Sequence, residues 1–124
     1  MTIERLNPEG LRQPPTYTHV VKATGGTTVY ISGQVAVDLD GRLVGEGDFA
    51  AQATQVFSNL RAALAGVDAD FSRVVKMTTY IVDYRPELRE ALAAARTQAM
   101  AGALPASTLV GVQALAQPGY LIEV

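Results

Sequence analysis

Few residues in this chain could do chemistry, and they are spread along it. The single histidine, His19, follows Tyr17 by two positions, so in an extended segment the two rings share a face. Imidazole is the one side chain that titrates near neutrality without help. His19 is therefore a candidate general base, against the plainer alternative of a strand histidine satisfied by hydrogen bonds. Ser107 sits in Pro105-Ala106-Ser107-Thr108. Proline cannot donate to a ladder and suits the mouth of a strand, after which Ser107 and Thr108 point to opposite faces. The Ser107 hydroxyl can bond a neutral ligand or simply complete the strand entrance. Ser32-Gly33-Gln34 interrupts an apolar run, and a glycine there signals a bulge or a close backbone approach. The chain contains no cysteine, which removes disulfides, thiolate nucleophiles and zinc–thiolate sites. One histidine without a His/Asp/Glu cluster leaves no ligand set for a transition metal.

The elements that hold these residues fit one domain over residues 1–124. Hydrophobic residues make up 48% of the chain and charged ones 18%, a balance that favours a packed core over disorder. The net charge is −2 with no Lys/Arg cluster, so no nucleic-acid partner is expected. No apolar run is long enough for a signal peptide or a membrane span, and the expected location is the cytoplasm.

In chain order, Asn7 to Pro15 reads as an extended arm with turns. Tyr17 to Ala23 reads as a strand, Gly25-Gly26 as a hairpin turn, and Thr28 to Val37 as a central strand apolar on both faces. Asp38 to Gly41 turns the chain into a short returning strand at Arg42-Leu43-Val44. A first helix is expected from the Asp48 cap to Ala65, ending at Gly66. It buries Phe49, Ala53, Val56, Phe57, Leu60 and Leu64 and leaves Gln52, Gln55 and Asn59 elsewhere. Val74 to Val82 forms a long strand, and a second helix runs from about Glu87 to Met100 with Leu88, Leu92, Ala95 and Ala99 inward. Arg89 and Arg96 lie two turns apart on one side of it, where a solvated face is the expectation and a displaced positive charge for the site the less favoured alternative. Strands at Ser107–Val112 and Tyr120–Val124 close the chain. This order gives an α+β fold, a mixed sheet with two helices on one face. Val29, Ile31, Met77, Thr79, Leu109 and Ile122 would lie on the other face, too apolar to stay wet, which predicts a homo-oligomer.

Three stretches together resemble the RidA family (YjgF/YER057c/UK114): Val29 to Val35, Val74 to Asp83, and Pro105 to Thr108 with Leu121-Ile122-Glu123. The resemblance covers nearly the whole chain. It implies the chorismate-mutase-like α+β fold, a homotrimer with a central β-barrel, and ligand clefts between subunits. It also implies hydrolysis of 2-imino acids or their enamine tautomers to 2-oxo acids and ammonia, with no metal or organic cofactor. In that chemistry the protein holds the substrate carboxylate and orients the attacking water.

The chain departs from the family where the carboxylate is held. Deaminating members carry arginine after Pro-Ala, a bidentate carboxylate grip, and this chain has Ser107. Losing such a pair costs on the order of 2–5 kcal/mol of binding. Leu109 stands where some members have cysteine, and Gly111 where many have glutamate. By the match, Glu123 would orient water, Tyr17, Ser32, Gly33 and Ser107 would bind the ligand, and His19 replaces a common glutamine. The opening Leu6 to Leu11 with Tyr17-Thr18-His19 looks like branches of the family without the arginine. The expected function is hydrolysis of an imine, enamine or related metabolite lacking a carboxylate at the usual place. The alternative is a homotrimer that binds a small ligand without turnover. An RNA-cleaving role, attached to some family members, finds neither a basic patch nor a histidine pair.

Overall fold

The computed structural model describes residues 1–124. Helix α1, Phe49–Ala65, begins where the Asp48 carboxylate accepts the Ala51 N–H at 3.1 Å, satisfying one of the amide donors a helix start leaves free. Its apolar stripe packs against helix α2, Leu88–Met100, and both lie on one face of a three-stranded sheet. That sheet has the order β4 (Ala106–Val112), β3 (Lys76–Val82), β5 (Ile122–Glu123). β3 and β4 are parallel, as their crossover through α2 requires, and β5 is antiparallel. Gln34 extends the ladder on the far side of β5 by exchanging two backbone hydrogen bonds with Val124, at 2.8 and 3.0 Å.

The core lies between helices and sheet: Val56, Phe57, Leu60, Met77, Ile81, Leu92 and Ile122. Met77, Thr79 and Ile122 therefore sit under the helices, and the expected face assignment is corrected for these three. Alternation along a strand apolar on both sides gives the period but not which side meets the helices. Leu109 is corrected with them, since it pairs with Thr79 and so faces the helix side; Val29 and Ile31 are exposed as expected. The sheet face away from the helices carries Lys76, Thr78, Tyr80 and Val82 of β3 with Thr108, Val110 and Val112 of β4.

Two further corrections concern the N-terminal third. Its first strand, β1 (Thr2–Leu6), was not expected, and it pairs antiparallel with β2 (Val20–Thr24), so Tyr17 to His19 precede the strand. Residues 28–34 belong to no ladder strand; bridges begin only at Val35 and Val37, the latter to Leu43. Before Gln34 meets Val124, the β-forming residues Thr28 to Ser32 make no backbone-to-backbone hydrogen bond within their own chain, and Tyr30 stands 91% exposed.

Gln52 overturns another expectation. It is fully buried on α1, donating to the Gly45 and Gly119 carbonyls at 3.0 and 2.9 Å and accepting the Leu121 N–H at 2.9 Å. This knot ties the helix start to both the segment before it and the turn leading to β5. Asn59, half-buried, donates to the Val35 and Val37 carbonyls at 3.0 and 2.9 Å. The amides on α1 thus complete backbone groups that have no strand partner.

Candidate functional site

A cavity of about 520 Å³ opens between α2 and the start of β4, within the size range of small-ligand pockets. The two hydrogen bonds of Thr18, its N–H to the Pro105 carbonyl at 3.0 Å and its hydroxyl to the Leu104 carbonyl at 2.7 Å, clip the arm to the mouth of β4. This clip places Tyr17 beside Ser107, and both line the cavity. Leu92, Met100, Leu104 and Leu109 supply apolar wall, and Tyr84 adds a second phenol.

The charged side chains of this cavity come from α2. Arg89 and Arg96 both line it, which corrects the expectation of a solvated face. The spacing Arg89, Leu92, Arg96, Met100 is a single helical stripe, and the position of Arg96 four residues after the buried Leu92 was the signal available in the sequence. Arg96 is half-buried, and its guanidinium donates to the Thr16 carbonyl at 3.1 Å. Desolvation holds its pKa below the usual arginine value.

The other expected site residues are elsewhere. Register pairs Ser107 with Met77 and Glu123 with Tyr80. Paired residues share a face and successive ones alternate, so Ser107 faces the helix side and Glu123 the bare side. Gly33 lies against the Glu123 carboxylate: a Cβ added there would stand 2.8 Å from its Cδ, so a larger residue would push the carboxylate from its place. Ser32, beside it, is exposed, and its carbonyl accepts from the Gln34 amide at 3.1 Å. The structure therefore brings together Tyr17 with Ser107, and Gly33 with Glu123, as two groups on opposite faces of the sheet.

His19 is not part of the cavity wall. Its Nε2 lies 2.7 Å from the Arg12 carbonyl oxygen, a partner that only accepts, so Nε2 carries the proton and donates. Its backbone N–H donates to the Asn7 side-chain oxygen at 2.9 Å, and its ring meets Tyr17 edge-on at 5.2 Å. The imidazole holds the arm in place behind Tyr17.

Comparison with known proteins bears on what these groups are for. The family model described as endoribonuclease L-PSP matches residues 11–124. The chain belongs to the RidA/YjgF family. It is 34% identical to protein DfrA of Myxococcus xanthus over 87% of this chain and 80% of that protein. It is 31% identical to the mouse 2-iminobutanoate/2-iminopropanoate deaminase over 77% of this chain and 78% of the other. Among solved structures, the Rid-family protein YyfB of Yersinia pestis aligns with a TM-score of 0.91 at 38% identity, covering 99% of this chain and 95% of that one. RidA of an Antarctic Psychrobacter aligns at 0.69 and 30% identity, covering 96% and 92%. At nearly equal coverage the second score is much lower, so part of this chain is set differently from that RidA. The α+β fold expected from the sequence is the fold of this family.

Proposed function

We propose that this RidA-family chain hydrolyses an imine- or enamine-type metabolite in clefts formed between copies of itself, as a cytoplasmic homotrimer. The observation that carries the reading is the split of the family-matched residues across the sheet. Ser107 with Tyr17 and Glu123 with Gly33 face opposite ways, so they can bound one cleft only if one copy presents its helix side where another presents its bare side. The unpaired stretch Val29 to Ile31 and the exposed Tyr80 and Val110 offer surface for such an assembly.

In the reaction, water adds to the imine carbon, the carbinolamine loses ammonia, and a carbonyl compound remains. Glu123 accepts a hydrogen bond from the water, takes its proton as the C–O bond forms, and returns a proton to the departing nitrogen. Ser107 offers a neutral hydroxyl in place of the arginine expected on β4, so a 2-imino acid is not held there as in the arginine-bearing members. The test is ammonia release from imines generated in situ, compared between the protein and Glu123→Gln. Loss of a positioned acid–base group lowers the rate ~10²–10⁴-fold; an unchanged rate would contradict this role for Glu123. The second reading, a homotrimer that binds without turnover, is favoured by one observation: no carboxylate or imidazole lines the cavity within one chain. Ligand binding with no ammonia release from any imine offered would select it.

A further inference from the structure

A guanidinium that has lost much of its water needs a compensating anion or a full set of acceptors. Arg96 has one protein acceptor, the Thr16 carbonyl, for its five N–H donors. The ion pairs of the chain are Lys22–Glu4 and Arg85–Asp83, both at the surface and both away from the cavity. The cavity wall contains no aspartate or glutamate, while Arg89 adds a second positive charge two turns earlier on the same helix. A pocket with two cations, no anion and an apolar wall of Leu92, Met100, Leu104 and Leu109 is complementary to a negatively charged group on an apolar body.

We infer that Arg96 is the anion grip of this cavity, and that its ligand is a small organic carboxylate bound from the α2 side of the pocket, with its apolar body against the β4 wall. The inference rests on the cleft reading above for the use of the pocket, but it places the charge on the helix rather than on the strand. The guanidinium fork is oriented by its bond to Thr16, which leaves further N–H groups for two carboxylate oxygens. Arg89, more exposed at the cavity rim, attracts the anion without fixing it. Tyr17 and Ser107 line the same cavity with hydroxyls for a neutral polar group of the same molecule.

The experiment measures binding of 3-methylbutanoate and of its neutral isostere 3-methylbutanamide by calorimetry, with the protein, Arg96→Gln and Arg96→Lys. The expected result is an acid-over-amide preference of about tenfold or more, the size of one charge-assisted hydrogen bond. In Arg96→Gln that preference falls below about threefold, and in Arg96→Lys, which keeps the charge and loses the fork, it persists at reduced size. A protein that binds neither probe, or does not distinguish them, overturns the inference; a carboxylate from a second copy neutralising Arg96 would give that result. So does an Arg96→Gln protein that keeps the full preference. If Arg96→Gln does not fold, an undiminished preference in a folded Arg96→Lys, which has lost the fork, also overturns it. The hydrolytic reading fails separately, by absence of ammonia release from imines, a readout that the acid-over-amide binding preference does not use.

Discussion

Gln52 and Arg96 are both polar side chains that a helix turns away from water, and they end differently. Gln52 makes three hydrogen bonds to backbone groups of two separate segments, using both of its N–H donors and its carbonyl oxygen. Arg96 makes one, into a cavity that continues past it. The first arrangement is closed and serves the fold. The second is open and leaves donors for a ligand. A buried polar group completed by its own chain speaks for structure; one left incomplete beside a void speaks for binding.

Substitutions can break this contrast. Gln52→Leu strands two carbonyls and an N–H, and should cost about 3 kcal/mol or more of unfolding free energy in urea titrations. Arg96→Gln should change stability far less, since only one hydrogen bond, to the Thr16 carbonyl, is lost; an equal loss would mean that Arg96 is a structural residue after all. Ser107→Arg adds a third cation to the cavity, on the strand side, and should raise hydrolysis of 2-iminobutanoate above the native level, with Glu123→Gln erasing most of the gain. A folded, trimeric Ser107→Arg without gain would place the family's strand-held geometry beyond recovery in this cleft. The Thr79 hydroxyl is buried without a partner and does not line the cavity, so Thr79→Val should stabilise the protein by about 1 kcal/mol. The smallest effect concerns Asp70, whose carboxyl the Ser72 hydroxyl and N–H hold below its usual pKa. Its contribution is present above the unfolded-state pKa, near 4, and fades as pH falls through the lower folded value. The difference in urea midpoint between the protein and Asp70→Asn should therefore narrow from pH 6 to pH 3.

Much of the fold was legible because its signals are local. The Asp48 cap, the three-and-four spacing of α1 and the Asp38–Gly41 turn each rest on neighbours in sequence, and the structure contains them. What could not be read depends on distant partners. Thr2–Leu6 is a strand only because Val20–Thr24 lies beside it, and Thr28 to Ser32 is not one because it has no backbone hydrogen-bond partner in its own chain. Met77 and Thr79 were placed on the wrong face because β3 is apolar on both. At the site, Tyr17 and Ser107 were legible from motif and position, while Arg96 was hidden in a helix that reads as amphipathic without it. Its charge drew the expectation toward solvent, although its spacing from Leu92 pointed inward.

The central claim is that the two halves of the site meet between copies, and the cysteine-free chain allows it to be tested directly. Ser107→Cys and Glu123→Cys are combined in one chain, the native assembly is treated with a short bismaleimide, and the products are separated under denaturing conditions. Because the sheet separates the two positions within a protomer, the account predicts covalent dimers and trimers, and neither single variant should give trimers. A product that remains monomeric, from a protein whose two cysteines both react with a monofunctional maleimide, would contradict a cleft shared between copies.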